Sequence, residues 1–218
     1  MRFLLVGPDL ESNLSLGYLA SALRTAGHEA DIASFNDGGD IRDVVRRSRD
    51  ADAIGLSISF QVRAPEFLAL ASALKRAAPA KPIIAGGHFA TCAAEELLRD
   101  FSSLDLIVQH EGEDAIVELA NLGSEMVSKA HGLLGVVVRG EDRVPRATAK
   151  RPALRDLDRL PRPDRSGPAR LIAGVPTAYF MGAGAASATA TTAASPRCTA
   201  SRRALASGSG SRRTSWRR

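Results

Sequence analysis

Cysteine is nearly absent: Cys92 and Cys198 are the two in 218 residues. A pair builds neither a disulfide framework nor a four-ligand metal site by itself, and a reduced, cytoplasmic setting is the expectation. Long apolar runs are missing as well. None reaches the roughly 18 residues of a membrane span, and the chain opens on a strand-like RFLLVG without the pattern of a secretory signal. Acidic residues are missing from one region. Residues 183–218 hold seven Arg and no Lys, Asp or Glu, which leaves 22 basic and 24 acidic residues before them. The net charge of +5 therefore belongs to the tail, and the rest offers no basic face for nucleic acid.

Several chemical signatures are also lacking. The first loop, GPDLESNLSLG, has neither the G-x-G-x-x-G of a dinucleotide site nor a G-x-x-x-x-G-K-[ST] phosphate loop. A phosphorelay receiver needs an Asp at the end of the third strand, where this chain reads SISF. The histidines His28, His88, His110 and His131 have no metal-ligand spacing. His88 and His110 can converge only if the fold brings strand ends together. Cys92 has no Cys or His at ligand spacing and reads as a small core residue inside a helix.

What is present is alternation. RFLLVG, EADIAS, DAIGLSISF, KPIIAGG and LDLIVQ are short apolar runs bounded by turn residues, and they read as five strands. Between them lie helical periods. Leu16, Leu19, Ala20 and Leu23 mark the first helix, which Gly27 ends; Ile41, Val44 and Val45 mark the second. APEFLALASALKRAAP, TCAAEELLRDF (with Thr91 as its cap) and EDAIVELAN supply three more. LLGVVVRGEDRV reads as a strand and turn that can extend the sheet edge. Regular β–α alternation implies an α/β fold, a mostly parallel sheet with helices on both faces. A flavodoxin-like (Rossmann-like) order and a dinucleotide-binding order both place ligands at the carboxyl ends of the strands.

The loops at those ends define the candidate site. Ser57 and Ser59 fall on one side of an extended segment, leaving room for a flat ligand and offering hydroxyl donors. Each serves equally well as a buried hydroxyl bonded to backbone. Gly86 and Gly87 follow a buried strand and permit close approach of a bulky group, or simply make a strand-to-helix turn. Thr91 stands near a helix start, where amides can meet an anion. Glu111, Gly112 and Glu113 sit at the mouth of the fifth strand, as helix-capping acids or as ligand contacts.

Four segments, NLSLGYLASALRTAGHEADI, DAIGLSISF, KPIIAGGHFATCAAEELL and LDLIVQHEGEDAIVEL, resemble in order and spacing the cobalamin-binding domain of cobalamin-dependent radical S-adenosylmethionine enzymes. The resemblance covers residues 2–140, and LRDLDRLPRPDR resembles the segment joining the two domains of such enzymes. It implies a flavodoxin-like five-stranded domain over residues 1–140, an irregular interdomain linker over 141–182 and a disordered basic tail over 183–218. It implies cobalamin as ligand and no nucleic-acid or membrane partner. Ser57 falls where the family's third-strand serine lies against the nucleotide tail. Gly86 and Gly87 fall at its Gly-Gly pair, and Glu111, Gly112 and Glu113 at its GEGE-like turn. The expected contacts also include Asn13, Leu14, Ser59, Phe60, Gln61, His88 and Thr91. Mutase-type relatives carry Asp-x-His-x-x-Gly in the first loop, whose His ligates cobalt; this loop has no His. The expected lower axial ligand is absent, water, or a residue from elsewhere.

The family continues with Cys-x-x-x-Cys-x-x-Cys, whose thiolates hold a [4Fe–4S] cluster used with S-adenosylmethionine. Only Cys198 is found there. Of the 36 residues in 183–218, 29 are Ala, Ser, Thr or Arg, too few apolar groups to offset ordering entropy. With third bases chosen freely, a GC-rich coding strand for this tail carries the family's cysteine spacing in a shifted frame. The expectation is a truncated chain, possessing the cobalamin-binding domain and inactive in radical methyl transfer or rearrangement. A stand-alone cobalamin carrier or sensor is one alternative; an unrelated small-molecule enzyme, such as a nucleotide-sugar transferase using His88, Glu111 and Glu113, is another.

Overall fold

A computed structural model describes residues 1–9, 13–165 and 170–177. The expectations for residues 183–218, disorder and frame change included, lie outside the described residues. The elements in chain order are β1 (Arg2–Gly7), α1 (Leu14–Thr25), β2 (Glu29–Ser34), α2 (Ile41–Arg47), β3 (Ala53–Ser57), α3 (Ala64–Ala77), β4 (Ile83–Gly86), α4 (His88–Cys92), α5 (Ala94–Asp100), β5 (Leu106–Val108), α6 (Glu113–Asn121), α7 (Met126–Lys129), β6 (Val136–Arg139) and β7 (Pro145–Ala147). A separate hairpin pairs β8 (Arg170–Ile172) with β9 (Val175–Thr177).

The main sheet runs β2-β1-β3-β4-β5-β6-β7. Its first five strands are parallel, in the flavodoxin-like order, with helices on both faces. The expected count of five is corrected to seven. After α7 the chain returns along β5 in the opposite direction, so β6 pairs antiparallel with β5 and β7 with β6. A tight turn makes this possible: Arg143 adopts φ 61° and Gly140 N–H donates to Val144 O at 3.0 Å.

Alternation along the strands divides the core in two. Phe3, Leu5, Ala53, Ile84, Leu106 and Val108 face α1 and α6. Leu4, Val6, Ile54, Leu56, Ile83, Ala85 and Ile107 face α2, α3 and α5. Both faces are covered, which is why these strands read as continuous apolar runs. Helix signals behave as expected at α1, where Asn13 Oδ1 accepts from Leu16 N–H at 3.3 Å and Gly27 stands just past the end at φ 85°. On the far side, Arg139 of β6 donates to the carbonyls of Leu98, Phe101 and Leu104 at 2.6–3.1 Å. That fan satisfies carbonyls at and beyond the end of α5 that the helix itself cannot, and it fastens the antiparallel edge to the helical layer.

The segment after β7 remains on the domain. Between residues 148 and 165 it runs across α6 and α1. Arg151 pairs with Glu118 of α6, Arg159 with Asp114 at 2.9 Å, and Asp164 with Arg24 of α1 at 2.8 Å. Asp164 N–H also donates to Gly17 O at 3.0 Å.

Candidate functional site

The face of the sheet turned toward α1 and α6 is poor in side chains near its carboxyl end. Register places Leu5 beside Gly55 and Gly55 beside Ile84. One alternation further on, Ser57 pairs with Gly86, and Gly7 stands so close to Ser57 that a Cβ on it would lie 3.1 Å from the serine's own. Asn13 and Leu16 fill the space over Gly7, where a Cβ would lie 2.8 and 2.9 Å from them. The open stretch is Ser57 and Gly86, with one small hydroxyl and no other side chain, and a trough follows from it. It opens as a cavity of about 530 Å³, within the range of small-molecule sites, about 300–1,000 Å³. Leu16 and Leu19 of α1 form one wall and Ile116 of α6 another; Leu154 and Leu160 come from the segment after β7.

The mouth is built by three loops that brace one another. Ile58 N–H donates to Gly86 O at 2.8 Å, and Ala90 N–H donates to Ile58 O at 3.1 Å. Gly87, at φ 101°, is the N-cap of α4 and touches this junction: a Cβ there would lie 2.9 Å from both the carbonyl carbon and oxygen of Ile58. The expectation that Thr91 caps a helix is corrected. The helix begins at His88, with its cap at Gly87 four residues before Thr91, and breaks at Ala93 into α4 and α5. Thr91 Oγ1 instead accepts from His110 N–H at 3.0 Å, binding the β5 loop to α4. The early start also turns Cys92 outward. It is exposed and lines the cavity, against the expectation of a core residue.

Nine expected contacts line the cavity: Ser57, Ser59, Gly86, Gly87, His88, Thr91, Glu111, Gly112 and Glu113. The strand ends at Ser57, yet the two serine hydroxyls still stand 3.5 Å apart. Asn13, Leu14, Phe60 and Gln61 do not line it. Asn13 caps α1, and Phe60 is 65% exposed on the rim with Val62 at 83%. His88 and His110 both reach the cavity. Among the described residues no group of three His, Cys, Asp or Glu is placed to hold a metal ion, and no helix is long and apolar enough to cross a membrane.

Charge at the mouth is acidic. Glu111 Oε2 accepts from Leu154 N–H at 2.7 Å. Glu113, at the first turn of α6, has its carboxyl pushed above the ordinary range, chiefly by burial; backbone N–H groups of Glu113 and Gly112 work against this, and the charges of Glu111 and Asp114 add to it. A raised carboxyl binds its proton more tightly in the folded state. Stability is then full at low pH and falls as pH rises through the window that begins at the unfolded value. The variant Glu113→Gln should therefore melt about 2–4 °C above the parent at pH 8, the shift that roughly 1 kcal/mol makes in a chain of this size. The gap should close near pH 4; a gap independent of pH would refute the assignment.

Residues 6–120 match the B12 binding domain family, over more than half of the 218 residues. The chain belongs to the B12-binding domain family. The solved structures most like this B12-binding domain include three of the cobalamin-dependent S-adenosylmethionine radical enzyme OxsB. The form with aqua-cobalamin and S-adenosylmethionine bound is 21% identical with a TM-score of 0.56, over 70% of this chain and 22% of that one. The form with aqua-cobalamin bound is 22% identical at 0.57, with the same coverage. The apo, selenomethionine-labelled form is 20% identical at 0.59, over 74% and 23%. At that identity the likeness is one of fold, and the chain spans less than a quarter of those structures' length. No curated protein matches the chain.

Proposed function

We propose that this B12-binding domain holds cobalamin, with the corrin ring over the carboxyl ends of β1, β3, β4 and β5 and the nucleotide tail in the trough beneath. The observation that carries the reading is the side-chain-poor stretch of Ser57 and Gly86 on the cavity floor, where a Cβ on Gly86 would meet nothing closer than Val108 O at 3.6 Å. A sheet face packed against helices is ordinarily filled by interdigitating side chains. Here that space is left open, bounded by leucines and an isoleucine and floored by a hydroxyl.

In this reading each residue has a plain task. Gly86 and Ser57 leave room for a planar base, and the Ser57 and Ser59 hydroxyls donate to the tail's oxygens. Leu16, Leu19 and Ile116 bury its apolar faces. Gly87 fixes the β3 and β4 loops at the height on which a flat macrocycle rests, and exposed Phe60 and Val62 border that platform. Bound cobalamin supplies an organometallic cobalt centre; the domain supplies position and shelter from water. The first loop has no His to offer cobalt; His88 and His110, which line the mouth, are the imidazoles that would stand near the group when bound. The proposal is confined to binding. A [4Fe–4S] cluster, S-adenosylmethionine and radical transfer form no part of it.

The chain mixed with hydroxocobalamin and passed through gel filtration should carry colour with the protein peak, at up to one corrinoid per chain. Colourless protein after equilibration with excess ligand overturns the proposal.

A further inference from the structure

The family match ends at residue 120, yet part of the cavity wall lies beyond it. Leu154 and Leu160 face the same space as Leu16, Leu19 and Ile116. They arrive there on a segment with no regular α-helix or strand between β7 and Arg165, so its position depends on side-chain and backbone ties. The ties form a line. Arg151, only 14% exposed at its side chain, pairs with Glu118 and donates to Leu134 O at 3.2 Å. Arg159 pairs with Asp114. Asp164, 12% exposed, pairs with Arg24. Gly17 permits this last contact, since a Cβ there would lie 2.8 Å from Asp164 O. Most of these bonds run to the outer sides of α6 and α1. One reaches the ligand mouth: Leu154 N–H on Glu111 Oε2, at 2.7 Å.

We propose that residues 148–165 form the fourth wall of the ligand slot, latched by Glu111, and that this wall makes the slot selective for corrinoids that carry a nucleotide tail. This rests on the cobalamin reading above. The sheet, α1 and α6 supply three sides of the trough, and the strap closes the remaining one with two leucines. A tail in the slot loses water on its fourth side only if the strap is down. A corrinoid without a tail rests on the rim and never meets Leu154 or Leu160. The Glu111 carboxylate accepts a charge-assisted bond from a half-buried amide, the stronger class of hydrogen bond, and it holds the strap at the point nearest the mouth. Glu111→Gln keeps an acceptor oxygen there; Glu111→Ala removes it.

Equilibrium dialysis of the full chain against hydroxocobalamin and against cobinamide, which lacks the nucleotide, tests this. Glu111→Ala should weaken cobalamin about tenfold and leave cobinamide within twofold, whereas Glu111→Gln should stay within about threefold of the parent for both. Trypsin gives a readout independent of affinity. Cobalamin should slow cleavage after the exposed Arg155 and Arg159, and cobinamide should not. Equal weakening of both corrinoids by Glu111→Ala, no weakening of either, or equal protection by both ligands overturns the latch while leaving the cobalamin reading intact. Failure of the parent chain to bind any corrinoid overturns both.

Discussion

Gly87→Ala should lower the stability of the domain by about 3 kcal/mol, near 10 °C in melting temperature for a chain of this length. Two costs combine. At φ 101° an L-residue is strained by about 1–2 kcal/mol. The new methyl would also press at 2.9 Å on the carbonyl carbon and oxygen of Ile58, which are backbone atoms and cannot swing aside. Ile58 is bonded at both ends, through its N–H to Gly86 O and through its carbonyl to Ala90 N–H. Any movement that relieves the clash therefore stretches the junction between the β3 and β4 loops. Thermal melts of parent and variant would read the effect. A loss below about 1 kcal/mol would mean that the loop adapts and that Gly87 is not the rigid corner described here.

Gly86→Leu should give the opposite profile: a fold within about 3 °C of the parent and at least a hundredfold loss of cobalamin affinity. The neighbouring glycine differs in both respects that matter. Its φ is not in the left-handed region, and a Cβ on it would meet nothing closer than Val108 O at 3.6 Å, an ordinary contact. The leucine body would then enter the trough beside Ser57, adding apolar volume where the tail would lie. Gly86→Ala should fall between, at several-fold. Spectral titration with hydroxocobalamin, beside a melt of each variant, separates the two effects. Parental affinity in Gly86→Leu would show that nothing of the ligand enters the slot.

The parallel part of the sheet was plain from the sequence because each strand is buried on both faces, and RFLLVG or KPIIAGG have no polar alternation to mistake for anything else. The strand-end loops were legible only as candidates, since the glycine pair and the serines read equally well as a turn and buried hydroxyls until the fold set them around one cavity. Three features were hidden, each for a reason of distance. VVVRGEDRV was legible as a strand and turn, but its antiparallel direction is decided by pairing with β5. The break between α4 and α5 falls in a stretch of good helix formers; what starts the helix early is Gly87 seated against Ile58, a contact between residues 29 apart in sequence. That shift of the cap by four residues moved Thr91 into the helix and Cys92 out of the core. The linker's irregular course was legible in its Pro- and Arg-rich, aperiodic sequence, but the seating of two of its leucines in the cavity was not. Its leucines follow no period, and the partners that place them, Glu111, Asp114, Glu118 and Arg24, lie 33 or more residues away.

Asp164 meets α1 at Gly17, in the first turn of the helix. The strap is therefore fixed at the start of α1, and not at the β7 edge where the sheet finishes. With cobalamin bound as proposed, a segment joined beyond that point is tethered on the ligand's side of the sheet. A short leash of this kind holds its cargo at an effective concentration of order millimolar, so a second module attached there could visit the ligand often while having little affinity of its own.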